Sequence, residues 1–167
     1  MRNFIPQFVL DKTRDREHNG SLEASILNID LRGFTAITQD LMQQSESGAE
    51  VLSDVINTIF TPAIEAVENR GGFISGFAGD AFTAIFPLEQ GAGLAINAAL
   101  AIRDFFIAKG LQKTEFGEHK VSVRLGLAKG TVLWTITHDR DQSVYWFNGE
   151  GIDLAVWRKK RQQQIRL

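Results

Sequence analysis

Along the chain, short apolar runs with a two-residue period alternate with longer stretches of helical period. Leu22 to Ile29 is short and apolar enough for a buried strand, which Asp30 ends. Gly33 then allows a tight turn into a short helix over about 33–44, and the polar stretch Gln43 to Gly48 breaks the pattern. From Ala49 to about Arg70, Val51, Leu52, Val55, Ile56, Ile59, Phe60, Ala63, Ile64 and Val67 fall on one helical face. Pro62 inside that pattern predicts a kink or a split into two helices, and Gly71-Gly72 stops it. Phe73 to Ala78 and Ala81 to Phe86 read as a hairpin turning at Gly79-Asp80, with Pro87 as its end.

Residues 90–108 are rich in Ala, Ile and Phe and predict a helix closed by Lys109-Gly110. After a polar loop, Lys120 to Ala128 alternates, with Val121, Val123, Leu125 and Leu127 opposite Ser122, Arg124 and Gly126. Thr131 to Thr137 predicts another strand, and a polar tip from His138 to Gln142 makes a hairpin with Ser143 to Phe147. Gly149 to Leu167 reads as a last helix. At the other end, Pro6 argues against a regular helix or central strand in residues 1–10, and residues 11–20 read as an exposed loop ending at Asn19-Gly20. The order of elements favours an α+β domain with helices mainly on one face of a mostly antiparallel sheet.

Composition narrows the class. A chain of 167 residues with 44% hydrophobic and 23% charged residues is one ordinary globular domain's worth. A net charge of −2 predicts no general affinity for nucleic acid or anionic membrane. The absence of cysteine removes disulfides, thiolate metal sites and cysteine nucleophiles. No signal peptide and no apolar run of bilayer length is present, so a cytoplasmic domain is the expectation.

Two carboxylates stand out as candidate chemistry. Asp30 at a strand end, followed by helix-starting amides, suits a hard cation and phosphate oxygens, but it reads equally well as a helix cap. Asp80 at a hairpin tip is by itself an ordinary turn residue. If the first strand pairs beside the hairpin, the two converge, and their repulsion favours a divalent cation between them. His18, His119 and His138 fall in expected loops and read as solvated. The basic run Arg158-Lys159-Lys160-Arg161 reads as a solvated helix face complementing the helix C-terminus.

Taken together, the segments ILNIDLRGFTAIT, GGFISGFAGDAFTAIF, VRLGLAKGTV and FNGEGIDLAVW resemble the class III nucleotidyl cyclase catalytic domain over about residues 22–160. GAEVLSDVIN and FAGDA are most similar to the first catalytic half of the bicarbonate-responsive soluble adenylyl cyclases. The resemblance implies a ferredoxin-like core over residues 22–167 behind an N-terminal extension of residues 1–21, and a head-to-tail dimer with sites at its interface. It implies two metal ions, Mg²⁺ or Mn²⁺ with Ca²⁺ as a binding substitute, held by Asp30, Asp80 and the Leu31 carbonyl. It also implies a phosphate cradle at Arg32, Gly33, Phe34 and Thr35, with ATP favoured over GTP as the nucleotide.

The complementary residues depart from the family. The resemblance places the base-selecting Lys at Gly76 and the second base-selecting residue at Trp146. It places the ribose-orienting Asn at Asp153 and the phosphate-stabilising Arg at Trp157. None of the four substitutes can do the family's work: Gly76 has no side chain, Asp153 brings negative charge, and Trp157 neutralises none. The resemblance thus implies a metal- and triphosphate-binding half, nearly inactive alone, that needs a second half in the same or another chain. The alternative is a catalytically silent pseudo-cyclase that dimerises and regulates, with a homodimer possible in isolation and no nucleic-acid role. No bicarbonate response is expected through a pocket lacking the Lys and Arg. The family domain continues past the last helix, so the chain is expected to be a fragment of a longer one with its C-terminal edge strands missing.

Overall fold

A computed structural model of the chain describes residues 5–90, 93–139 and 142–161. Its elements are α1 (Gln7–Arg14), β1 (Asn19–Arg32), α2 (Phe34–Met42), α3 (Ser45–Glu68), β2 (Phe73–Ala78) and β3 (Ala81–Pro87). They continue with α4 (Leu94–Lys109), β4 (Leu111–Thr114), β5 (Gly117–Lys120), β6 (Ser122–Asp139), β7 (Gln142–Asn148) and α5 (Glu150–Arg161). The main sheet runs β2-β3-β1-β6-β7, and every neighbouring pair is antiparallel. The first four strands in that order, with the helices between them, form a ferredoxin-like core that β7 extends.

β1 is the central strand. All of its residues, from Asn19 opposite Thr135 to Arg32 opposite Ser122, pair with β6, and Ala24 to Asp30 also pair with β3. Leu27, Ile29 and Leu31 point into a core built with α2, α3 and α4, whereas Ala24 and Ile26 pack on the other face beneath Ala155 of α5. Both faces are covered, which is why the segment reads as a nearly continuous apolar run rather than an alternating one. A third cluster joins Val9 of α1 to Trp134 and Ile136 of β6. Phe8 stacks on Phe73 at 5.3 Å and meets Trp134 edge-on at 5.6 Å.

Several expectations from the sequence are corrected. Residues 7–14 are helical, and Pro6 is compatible with this because it sits at the N-cap, where its missing N–H costs nothing. β1 extends through Asp30 to Arg32 instead of ending at the aspartate. α3 begins at Ser45, inside the polar stretch, and runs unsplit through Pro62. The Thr58 carbonyl that proline deprives of a donor belongs to an exposed residue, so water can satisfy it. The supposed polar loop holds the β4–β5 hairpin, and the two strands expected over 120–137 are one long strand, β6. The expected last helix is found over Glu150–Arg161, and its continuation to Leu167 lies outside the described residues.

Candidate metal–phosphate site

The site is assembled where β1, the β2–β3 turn and the start of α2 meet. Asp30 is opposite Ala81 in the β1–β3 register, so the neighbouring Asp80 lies at the same end of the sheet. The turn is tied to β1 by the Leu31 amide, which donates to the Asp80 carbonyl at 3.1 Å. It is tied to α2 by the Thr35 hydroxyl, which donates to Asp80 Oδ2 at 3.1 Å. The condition for the two carboxylates to converge, β1 lying beside the hairpin, is therefore met.

Gly33 makes the sharp entry into α2. Its φ is +88°, and a Cβ there would lie 2.4 Å from the Lys120 carbonyl oxygen, so no other residue fits this backbone. Immediately after it, the first-turn amides of α2, beginning with Phe34 and Thr35, have no acceptor within the helix and carry its positive dipole end. No side chain caps this terminus, and Asp30 does not act as its cap.

Asp30 has different company, which the sequence did not disclose. Its cross-strand partner is Arg124, whose Nη2 lies 2.8 Å from Oδ2, and Lys159 of α5 places Nζ 3.3 Å from Oδ1. The three side chains are 15%, 22% and 13% exposed for Asp30, Arg124 and Lys159. The Arg124 contact is an ion pair without hydrogen-bond alignment, leaving Asp30 Oδ2 and Arg124 Nε buried with no hydrogen-bond partner. The alternation of Lys120 to Ala128 had already put Arg124 on the polar side of its strand. Only the β1–β6 register sets it opposite Asp30. Lys159 corrects the reading of the basic run as a solvated face, whereas Arg158 and Lys160 are exposed as that reading expects, Arg158 also donating to the Leu127 carbonyl at 2.9 Å. His119 is also not solvated: its side chain is 14% exposed, and its Nδ1 lies 3.7 Å from Asp40 Oδ2.

The donor set suits a hard divalent cation. Among the described residues no group of three or more His, Cys, Asp or Glu side chains gathers anywhere, so a cation here would rest on Asp30 and Asp80 with backbone carbonyls rather than on a larger side-chain cluster. A cation held by two carboxylates and backbone carbonyls would leave coordination positions for phosphate oxygens. Asp30, Asp80, Leu31 and the amides from Arg32 to Thr35 are the residues that would hold such a metal–phosphate group.

The four substituted positions lie elsewhere. Gly76 sits on β2, an edge strand of the sheet, with no atom within 4 Å of an ideal Cβ. Asp153 and Trp157 are exposed one turn apart on α5, Trp157 at 48%. Trp146 is 43% exposed on β7, between Tyr145 and Phe147, which turn the other way into the cluster beside α1. Asp153 and Trp157 share a solvent-facing stripe that Trp146 does not join.

No family model matches the chain. Rat adenylate cyclase type 10 is 26% identical over 158 residues, 89% of this chain but 10% of that protein, so the chain spans only a small part of its relative. A bacterial light-regulated adenylyl cyclase superposes with a TM-score of 0.73 at 18% identity, covering 97% of this chain and 48% of that one. An adenylyl cyclase from P. aeruginosa superposes at 0.64 with 21% identity, covering 85% and 73%. The fold is that of adenylyl and guanylyl cyclase catalytic domains, and the relatives similar in sequence are adenylate cyclases.

Proposed function

We propose that this chain, a homologue of the adenylate cyclases with the class III cyclase fold, is the metal- and triphosphate-binding half of an adenylyl cyclase. Its reaction is ATP to cyclic AMP and pyrophosphate. The observation that carries the reading is the placement of Asp30 and Asp80 at one end of the sheet, beside the uncapped N-terminus of α2. Asp30 and Asp80, with the Leu31 carbonyl, would hold divalent cations. When bound, such cations would supply Lewis-acid activation of a ribose hydroxyl and charge neutralisation of pyrophosphate. The α2 amides at Phe34 and Thr35 receive β- and γ-phosphate oxygens, and Thr35 holds the Asp80 carboxylate in position through its hydroxyl.

Transition-state stabilisation is what this chain does not supply. Trp157 and Asp153 form the exposed stripe of α5 at positions where a charge-neutralising donor and a neutral amide would be needed. A complementary half has to bring them. Loss of an arginine-type contact alone removes roughly a hundredfold or more in rate. A second reading, a pseudo-cyclase that binds a partner without turnover, is favoured by one observation: Asp30 is already balanced by Arg124 and Lys159 within the chain.

The test is cyclic-nucleotide formation from ATP and from GTP, in Mg²⁺ and in Mn²⁺. It is run on the chain alone and on the chain mixed with a cyclase half that carries the Lys, Asp or Thr, Asn and Arg missing here. Silence alone, activity on mixing, and loss of that activity in Asp30→Asn and Asp80→Asn are expected. Turnover by the chain alone at the rate of a complete cyclase would sink the proposed division of labour. Silence with several complementary halves would favour the pseudo-cyclase.

A further inference from the structure

We infer that Lys159 is a built-in counter-cation for Asp30 that a divalent ion has to displace, so that the seating of α5 on the sheet governs how readily the carboxylate pair takes metal. The inference rests on the proposed role of Asp30 and Asp80 as metal ligands. Each oxygen of Asp30 faces its own cation, Oδ1 the Lys159 ammonium at 3.3 Å and Oδ2 the Arg124 guanidinium at 2.8 Å. The two cations differ in origin. Arg124 is delivered by the strand register and is fixed beside Asp30 by the sheet. Lys159 comes from a separate element, and its compact charge on a flexible stem occupies the oxygen that Arg124 leaves free.

An ammonium and a divalent ion cannot both lie against Oδ1 without strong repulsion. With all three side chains largely out of water, that repulsion is weakly screened. The placement of Lys159 depends on how closely α5 lies on β6. Gly126 permits that approach: a Cβ there would stand 2.0 Å from the Ala155 carbonyl oxygen and 2.8 Å from the Lys159 amide nitrogen. The Arg158 hydrogen bond to the Leu127 carbonyl holds the same turn down. The opposite side of α5 presents Asp153 and Trp157 to solvent. A partner pressing on that stripe therefore acts on the helix that carries the Asp30 counter-ion.

The experiment is a Mn²⁺ titration without nucleotide, with free ion read by electron paramagnetic resonance. Lys159→Met keeps the aliphatic stem and removes the charge, and Lys159→Gln is the second variant should the first unfold. Lys160→Met removes the same charge from an exposed neighbouring position. Lys159→Met is expected to tighten Mn²⁺ binding about tenfold, Lys160→Met to change it less than about twofold, and Lys159→Arg to behave as the wild type. If Lys159→Met binds no more tightly than Lys160→Met, while binding still requires Asp30 and Asp80, the counter-cation role is overturned and the metal site stands. Mn²⁺ binding that survives both Asp30→Asn and Asp80→Asn overturns the metal site and this inference together.

Discussion

Gly33 shows how a single residue positions the chemistry. Its left-handed backbone turns β1 into α2 within one residue, and that turn aims the first amides of α2 at the end of the sheet where Asp30 and Asp80 lie. Alanine there meets two separate penalties, a disfavoured φ and a backbone carbonyl 2.4 Å from its Cβ that has no flexible side chain to move. Gly33→Ala is expected to lower stability by roughly 2–3 kcal/mol, read from the midpoint of urea unfolding. A change below about 0.5 kcal/mol would mean that the turn is not held as tightly as this geometry requires. At the same scale Asp30 gives the main lesson about legibility. Its identity as the acid before a glycine turn is plain in the sequence. Its partners lie far along the chain and are brought in by a strand register and by the docking of a helix.

At the scale of elements, α1 was the least legible. Pro6 argued against a helix, yet proline at a helix start is unobjectionable because the first amides have no intrahelical acceptor. What makes residues 7–14 a helix is tertiary. Phe8 lies on Phe73 of β2, Trp134 of β6 and Phe147 of β7, and Val9 is buried beside Trp134. The rings of Phe73 and Phe147 are themselves 5.4 Å apart although they belong to opposite edges of the sheet, so α1 closes a face that curls toward it. Phe8→Ala is expected to cost about 2 kcal/mol, with α1 amides losing hydrogen-exchange protection before those of β1. Equal loss of protection across both elements would show that α1 is no separate cooperative unit. By contrast α4, the β2–β3 hairpin and most of α3 were readable because their patterns are long or punctuated by Gly and Pro.

At the scale of the whole molecule, Asp30, Asp80 and the uncapped start of α2 lie at one end of the sheet, and Asp153 and Trp157 form an exposed stripe on α5. If the proposed division of labour is right, the missing functions can be put back on a second copy. Gly76 has open space around its Cβ direction, and Asp153 and Trp157 are exposed, so substitution at all three should leave the core intact. A Gly76→Lys/Asp153→Asn/Trp157→Arg chain mixed with the wild type is expected to form cyclic AMP at least about a hundredfold faster than the wild type alone. No gain from a mixture whose chains associate would count against the assignment of these three positions. Among the described residues no helix is long and apolar enough to cross a membrane.

What the sequence determined by itself was local or repetitive. It marked the buried central strand, the hairpin around Asp80, the long helices, the absence of thiol chemistry, and the motifs that resemble the cyclases. These features are written within a few residues of one another, in periods and punctuation that local backbone physics enforces. The tertiary structure alone decided that Asp30 and Asp80 share one end of the sheet, that β6 is one unbroken strand, and that Arg124 and Lys159 neutralise Asp30. Those facts depend on the register of strands far apart in the chain and on how closely glycine lets one helix approach the sheet. Neither leaves a periodic trace in the sequence.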